Sequence, residues 1–360
     1  MRPVNKFIGS LLPILLVACL PAAAQLAPAS TDPLARIREA AKGNTQACSA
    51  TGETLCEQIA PKIVSNAEGD SPLEANLLHL FDVVRSQDEP VEWAISSFRD
   101  VKIDVHLEKN PLVTDHSVTG SQEGEDVIAE IRGREKPDEW VLLGAFLGDH
   151  PDLEDDYNAA LVIEAARDIQ LTGIHPRRSL RFVLFGPGDS DSSHYVQAHR
   201  NELDRASAVL IFDAAANPVT GFVLNGRNDI EAGVNKALDP IYPMGVTHHT
   251  FDAPLERNSL SFLLEGIPTL LAPPPDTDGG EIRSLYVPIR VDGQELARLK
   301  RNTAIAAVTA FDIAEQAEPI GPRQSHAQIE SLLTSTGLDQ KMKTRGLWAS
   351  WQSGQRGRLP

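Results

Sequence analysis

The sequence has 360 residues, enough for one large domain or two smaller ones with a sizeable buried core. Apolar residues make up 42% and charged residues 23%, as in folded globular proteins and unlike disordered ones. The net charge of −17 argues against nucleic-acid binding and against broad adhesion to anionic membranes. Three cysteines are too few for a disulfide-rich scaffold or a Cys-rich zinc module.

The first 24 residues have the features of a secretory signal peptide. Arg2 and Lys6 precede an apolar run, Phe7–Leu20, and small residues follow at Ala22–Ala24. The run is too short for a transmembrane helix, and no later stretch is long and apolar enough to be one. We therefore predict cleavage after Ala24 and export, either to the periplasm or out of the cell.

Each of the three cysteines carries its own prediction. Leu16–Cys19 resembles a lipobox, so the alternative to cleavage after Ala24 is a lipoprotein with Cys19 as its lipidated first residue. Cys48 and Cys56 lie eight residues apart in a polar stretch, and export places them in an oxidising compartment. A local disulfide between them is the favoured prediction, and two unpaired thiols are the alternative.

After the signal peptide, hydrophobic spacing separates helices from strands. The predicted helices are Leu34–Lys42, Leu73–Arg85, Pro90–Val101, Ala159–Leu171 and Val291–Glu315. The predicted strands are Ile103–Leu107, Val127–Ile131, Val141–Phe146, Ser179–Phe185, Val209–Phe212 and Thr269–Ala272. From Asp126 onward strands alternate with helices, which favours an α/β fold with a doubly wound, mainly parallel sheet covered by helices. In such sheets the crevice lies beyond the carboxyl ends of the strands.

The chain is predicted to divide into four parts: a signal peptide (1–24), an N-terminal helical segment (25–89), an α/β domain (90–318) and a C-terminal helical and basic tail (319–360). The tail contains a short helix near Ala327–Thr334 and several lysines and arginines. It could dock back onto the acidic body or contact a partner, but a frayed, solubilising tail is the favoured prediction.

Seven segments resemble one known family in the same order along the chain. They are Asp126–Gly133, Trp140–Ala145, Glu164–Arg167, Pro176–Gly186, Tyr195–Leu203, Ile211–Asp213 and Leu263–Pro268. The family is the secreted zinc exopeptidases of the aminopeptidase and carboxypeptidase Q type, peptidase family M28. The resemblance spans roughly residues 90–315. It implies the zinc-exopeptidase (phosphorylase/hydrolase-like) sheet and a site for two zinc ions bridged by a carboxylate and water.

The same resemblance indicates which metal ligands this chain lacks. The family places His-x-Asp where this chain has Phe146–Gly148. The family's Glu-Glu pair, whose first member is the general base, aligns with Phe185–Ser190, and its last histidine aligns near Tyr286–Pro288; neither segment has these residues. The family's bridging aspartate falls within Glu154–Asp156, in a shortened loop that leaves the register open, and Asp155 is our choice. Asp213 matches a further ligand position, so the resemblance leaves two carboxylates. A zinc site takes three or four protein ligands, so two carboxylates are too few.

Relocated ligands are the main route by which a metal site could persist. The candidates are Asp149, His150, Asp152, Asp189, His194 and His199. A dinuclear site needs every ligand placed within a fraction of an ångström, which disfavours several simultaneous relocations. His248 and His249 are adjacent and point to opposite sides of an extended chain, so a surface loop is favoured there. Gly188–Ser190 resembles the Gly-Asp-Ser of one esterase group, but no suitably distant Asp-x-x-His accompanies it, which disfavours a serine hydrolase.

These observations predict an exported protein with a zinc-exopeptidase-like crevice and no catalytic residues. It would be a non-catalytic peptide-binding or interaction module that needs no cofactor, with Asp155 and Asp213 as remnants of the metal site. Its expected partners are peptides or a protein that enters the crevice, and not nucleic acid. The alternative is an active zinc-dependent aminopeptidase or carboxypeptidase with relocated ligands, and a purely structural role in the cell envelope is a third possibility.

Overall fold

The computed structural model describes residues 55–69, 71–86, 90–109, 125–147, 153–186, 192–255, 259–273, 291–354 and 356–358. All of these belong to one compact unit, Asp32–Pro360. The predicted signal peptide, the predicted helix Leu34–Lys42, and both Cys19 and Cys48 lie outside the described residues. The predicted boundaries at 89 and 318 stay predictions.

Six strands in the described part of the chain form one mixed sheet. They are β1 (Asp104–Lys109), β2 (Glu125–Ile131), β3 (Lys136–Phe146), β4 (Arg178–Phe185), β5 (Ala206–Phe212) and β6 (Thr269–Ala272). Their order across the sheet is β1-β2-β4-β3-β5-β6. Strands β4, β3, β5 and β6 pair in parallel, and β2 pairs antiparallel with both of its neighbours. The predicted α/β fold with a mainly parallel sheet is confirmed.

Helices cover both faces of this sheet. The first eight described helices are α1 (Leu55–Glu68), α2 (Leu73–Ser86), α3 (Pro90–Asp100), α4 (Leu153–Gln170), α5 (Ser193–Ala198), α6 (Glu231–Leu238), α7 (Leu260–Leu264) and α8 (Gly293–Glu315). Alternate strand residues such as Leu143 and Leu210 pack against the large core under α1–α4 and α8. Their neighbours Leu142 and Ile211 face a second core that includes residues of α5 and α7. None of the described helices is both long and apolar enough to cross a membrane.

Both ends of the long helix α8 are fixed by polar side chains. Asp292 caps its beginning, where the backbone N–H groups of Gln294 and Glu295 donate to Oδ1 at 2.8 and 2.7 Å. At the other end the fully buried Arg178 donates to the carbonyl oxygens of Gln316 and Ala317 just past the last turn. A cation at this position satisfies carbonyl groups that the helix leaves without partners.

Cys56 lies in α1 and carries a free, half-buried thiol. The predicted disulfide between Cys48 and Cys56 is therefore wrong, because the Cys56 thiol is free. Cys48 itself lies outside the described residues. The thiol packs beside Asp312 of α8, and burial, together with this carboxyl, raises the pKa of Cys56. Burial also raises the pKa of Asp312 well above its usual range. Both shifts favour the neutral forms of the thiol and the carboxyl.

The C-terminal region is folded and packed, so the predicted frayed tail is wrong. It forms α9 (His326–Ser335), α10 (Leu338–Thr344) and α11 (Leu347–Ser353). These helices bury Ile329, Met342 and Trp351 against Leu263 of α7. The fully buried Glu265 holds the same region through two arginines. Arg323 Nη2 lies 2.8 Å from its Oε2, and Arg356 Nη1 lies 3.0 Å from its Oε1.

Candidate functional site

The candidate site lies where four parallel strands end. Phe146 of β3 is in register with Phe185 of β4, and Phe212 of β5 is in register with Ala272 of β6. The carboxyl ends of parallel strands form one edge of the sheet, and this edge is where α/β proteins bind ligands. Three connections at this edge, 148–152, 187–191 and 274–290, lie outside the described residues.

Phe146, which the sequence resemblance aligns with the family's first histidine ligand, lies in an aromatic cluster. The Phe146 ring lies 5.1 Å from the Phe185 ring, and Phe185 in turn contacts Tyr195 at 5.7 Å and Phe262 at 6.2 Å, measured between centroids. Phe185, Tyr195 and Phe262 are fully buried, and Phe146 is half-buried at the edge of the cluster. Offset and edge-on ring pairs of this kind stabilise the apolar end of the strand. An aromatic ring offers no lone pair to a cation.

Asp213 directly follows β5 in a tightly held loop. Its backbone N–H donates to the carbonyl oxygen of Ala272 at 3.0 Å, and its side chain is half-buried. Two residues later Ala215 has φ of 47°, in the left-handed region that alanine rarely adopts. That conformation costs about 1–2 kcal/mol, so the surrounding contacts must maintain it.

Two buried asparagines supply those contacts. Asn158 Oδ1 accepts the N–H of Ala215 at 2.8 Å. Asn302 Nδ2 donates to the carbonyl oxygens of Ala215 at 3.1 Å and Asn217 at 2.7 Å, and its Oδ1 accepts the N–H of Val219 at 3.3 Å. Both asparagine side chains are fully buried, in α4 and α8 respectively. The loop that carries Asp213 is thus fixed from two helices.

The structure places Asp155 in the first turn of α4, which begins at Leu153 and not at the predicted Ala159. Acidic side chains at a helix N-terminus interact favourably with the helix dipole, which accounts for the earlier beginning. Asp155 is half-buried, and Asn158 follows it at a spacing of three residues on the same helix. The hydrogen bond from Ala215 to Asn158 therefore joins the turn that carries Asp155 to the loop that carries Asp213.

A further buried carboxylate holds the beginning of the connection after β4. Asp126 Oδ1 accepts the backbone N–H of Gly186 at 2.9 Å, and the Asp126 side chain is fully buried. Only glycine fits at this point, because a Cβ on Gly186 would lie 1.9 Å from the carbonyl oxygen of Glu125. Sequence reasoning did not assign a role to Asp126, Asn158 or Asn302. For the two asparagines, the available signal was a polar residue in line with apolar ones at helical spacing, such as Leu161 for Asn158 and Leu299 for Asn302.

His199 is engaged in ion pairs and does not present a nitrogen to a metal. Its Nε2 lies 2.8 Å from Glu108 Oε2 and its Nδ1 lies 2.5 Å from Glu202 Oε1. Carboxylates only accept hydrogen bonds, so both ring nitrogens carry protons. Burial lowers the pKa of His199, but the hydrogen bonds to the two glutamates outweigh burial and the pKa is raised. The Tyr195 ring covers the imidazole at 4.2 Å.

The other histidines proposed as ligands do not assemble a site in the described residues. His249 Nδ1 accepts the N–H of Phe222 at 3.1 Å, and its Nε2 lies 3.2 Å from Asn235 Oδ1. It is therefore a structural histidine, and burial lowers its pKa. His194 is half-buried in the first turn of α5. Within the described ranges no group of three or more His, Cys, Asp or Glu side chains could hold a metal ion.

The remaining predicted candidates lie where the structure gives no description. They are Asp149, His150, Asp152, Asp189 and Ser190. The relocated-ligand and serine-hydrolase hypotheses both depend on these residues and stay untested at them.

Known proteins resemble this chain in sequence and in fold. Over 151 residues it is 26% identical to carboxypeptidase Q of Rattus norvegicus, a stretch that covers 40% of this chain and 32% of the rat protein. The LapA aminopeptidase of Legionella pneumophila has the same fold, with a TM-score of 0.53 and 16% identity over 73% of this chain and 75% of that one. The chain is M28-like. A glutaminyl cyclase of Fimbriiglobus ruber also shares the fold, with a TM-score of 0.51 and 14% identity over 71% of this chain and 95% of that one. No family model matches the chain.

The described residues of this M28-like chain do not supply the two-zinc site of the family. Phe146 packs on Phe185 where the first imidazole is expected. Asp155 and Asp213 lie on segments joined through Asn158, but no third ligand accompanies them among the described side chains. Asp155 and Asp213 therefore stay predicted remnants of the metal site, and no reaction step through zinc follows from this arrangement.

Proposed function

We propose that this M28-like chain is an exported protein whose crevice binds peptides, or the end of a protein partner, without hydrolysing them. It uses no cofactor. The observation that carries the proposal is the Phe146 ring, which packs on Phe185 at 5.1 Å. The family resemblance aligns Phe146 with the first ligand position. An apolar edge of this kind suits the side chain of a peptide and not a hydrated metal ion.

The crevice loops support a retained binding role. Asn158 and Asn302 maintain a strained backbone at Ala215, directly beside Asp213. Strain of about 1–2 kcal/mol that is held by buried hydrogen bonds is concentrated at functional sites in proteins. A chain that had lost every use for the crevice would gain stability by relaxing this loop.

The alternative function is an active zinc-dependent exopeptidase with relocated ligands. It is favoured by the two carboxylates Asp155 and Asp213 and by the sequence similarity to carboxypeptidase Q. In that case Asp155 and Asp213 would be metal ligands, and zinc would supply the activated water.

Elemental analysis and a peptidase assay separate the two functions. The proposal predicts no stoichiometric zinc in protein purified without chelators, and no release of amino acids from short peptides when zinc or cobalt is added. Two tightly held zinc ions together with chelator-sensitive peptide cleavage would establish the alternative and refute the proposal.

Binding is tested with short peptides that have free or blocked termini, measured by calorimetry. We expect free-ended peptides to bind more tightly, because relatives of this type act on peptide ends. Phe146→Ala should weaken binding by roughly tenfold, since a buried aromatic contact is lost. The matched control is Phe251→Ala, which removes a phenylalanine that is 36% exposed and does not end a strand of the sheet. Equal losses in both variants would contradict a role for the crevice.

A further inference from the structure

The C-terminal helices α10 and α11 carry positive charge on an acidic molecule. Residues 338–358 contain one carboxylate, Asp339, and five cationic residues, whereas the whole chain has a net charge of −17. The five cationic residues are Lys341, Lys343, Arg345, Arg356 and Arg358. The net charge of this segment is therefore positive, whereas that of the whole protein is negative. The segment attracts anionic partners that the remainder of the surface repels.

The exposed cations lie next to an exposed leucine and a half-buried tryptophan. Lys341 and Arg345 are exposed and one helical turn apart, so they share a face of α10. Gly346, with φ of 73°, ends that helix and leads directly into α11. Leu347 is 45% exposed at the beginning of α11, and Trp348 beside it is half-buried. We call Lys341, Lys343, Arg345, Leu347 and Trp348 the basic–aromatic surface.

The opposite side of the same helices is fixed to the protein. Met342 and Trp351 are buried in the C-terminal core, which holds α10 and α11 in place. Arg356 is paired with the buried Glu265 at 3.0 Å and so serves the fold. Lys343 pairs with Asp339 at 2.7 Å, and its Nζ lies 4.7 Å from the centre of the Trp348 ring. The basic–aromatic surface is thus presented outward on a rigid support.

We propose that the basic–aromatic surface docks the protein on membranes that contain anionic phospholipid. Lipid phosphates attract lysine and arginine side chains, and the exposed Leu347 enters the boundary between headgroups and acyl chains. Trp348 stays packed on Trp351 at 5.2 Å beside it. The combination of an exposed leucine with an indole under a lysine favours a lipid over an acidic polypeptide, because a membrane offers both phosphate and apolar contact. The acidic remainder of the molecule is repelled, so binding is confined to this surface.

Vesicle co-sedimentation tests the proposal. The chain is used from Gln25 onward, since the apolar run of the predicted signal peptide would itself enter bilayers. Vesicles of phosphatidylcholine with phosphatidylglycerol should bind the protein, vesicles of phosphatidylcholine alone should bind it weakly, and added salt should reduce binding. Lys341→Glu with Arg345→Glu should weaken binding by at least about 25-fold, roughly fivefold for each cation removed.

Two further variants make the test specific. Leu347→Ser should weaken binding several-fold without changing its salt dependence, because it removes only apolar contact. Lys62→Glu with Lys236→Glu is the matched control: it changes net charge equally, at two exposed lysines in α1 and α6. The proposal is overturned if this control loses as much binding as the double variant in α10, if the α10 variant binds like the unaltered chain, or if the protein binds polyglutamate and not the anionic vesicles.

Discussion

Replacement of Asn302 by alanine tests whether the loop that carries Asp213 is held by this side chain. Asn302 is fully buried and makes three hydrogen bonds to that loop, at 2.7, 3.1 and 3.3 Å. At about 1 kcal/mol for each neutral hydrogen bond, Asn302→Ala should lower the free energy of unfolding by about 3 kcal/mol. For a chain of this size that loss corresponds to a decrease in Tm of roughly 4–6 °C.

Urea denaturation and thermal melting measure the global loss, and hydrogen exchange measures the local one. Asn302→Ala should accelerate amide exchange in the loop 214–219 more than it accelerates exchange in β3. The matched control is Thr309→Val on the same helix, which removes a buried hydrogen bond to Ile305 without contacting the loop. Its loss should stay below about 1 kcal/mol. Equal destabilisation by both variants, or unchanged exchange in the loop, would refute the role assigned to Asn302.

A double-mutant cycle examines the strain at Ala215. Glycine adopts the left-handed region without steric cost, so Ala215→Gly alone should change stability by less than about 1 kcal/mol. In that background Asn302→Ala should cost less than it does alone, because the loop no longer needs to be forced into place. Simple additivity of the two changes would show that Asn302 stabilises the loop independently of the strain.

Two further predictions concern the ion pairs. Glu265→Gln leaves Arg323 and Arg356 without their buried carboxylate, so it should lower the free energy of unfolding by about 3 kcal/mol. It should also expose residues 319–358 to limited proteolysis. Unchanged cleavage there would contradict the role of Glu265 as an anchor of the C-terminal region. His199→Gln should remove a pH-dependent part of stability. The raised pKa of His199 gives a contribution that is complete below about pH 6.5 and is lost as pH rises through the folded value. The lowered pKa values of Glu108 and Glu202 give a contribution that is lost as pH falls below about 4.3. The stability difference between unaltered protein and variant should decline as pH rises from about 6.5 through the folded pKa of His199, and a constant difference would be inconsistent with the pairing.

Strands β4, β5 and β6 could be predicted because they are buried on both faces and read as apolar runs. The predicted Thr269–Ala272 agrees with β6, and the predicted Ser179–Phe185 differs from β4 by one residue. Helix α1 was missed, because Pro61 and several polar residues interrupt its apolar spacing. The predicted helix Leu73–Arg85 agrees with α2 to within one residue. Local spacing therefore predicts the elements whose apolar pattern is uninterrupted.

The C-terminal region shows what local spacing cannot predict. Its basic composition favours a solvated tail, yet Glu265, 91 residues before Arg356 in the chain, attracts that arginine from within the fold. Burial of Ile329 and Trp351 against α7 then fixes the helices. Such contacts depend on tertiary placement, since neither the acid nor its cation is distinctive in the sequence alone. The tail prediction was wrong for this reason.

At the candidate site too, features set by the local sequence could be predicted, and contacts that depend on tertiary placement could not. A strand end and a family motif predict the place of Phe146, and the structure shows its ring packed on Phe185. Its match to the family's first ligand position stays a prediction. The side chains of Asn158 and Asn302 form hydrogen bonds with backbone atoms. Because nearly every residue type has the same backbone groups, no sequence motif identifies the partners. An asparagine is costly on the buried face of a helix unless its amide is satisfied. A polar residue among the apolar positions of a buried helix is therefore the sequence signal that indicates a loop anchor of this kind.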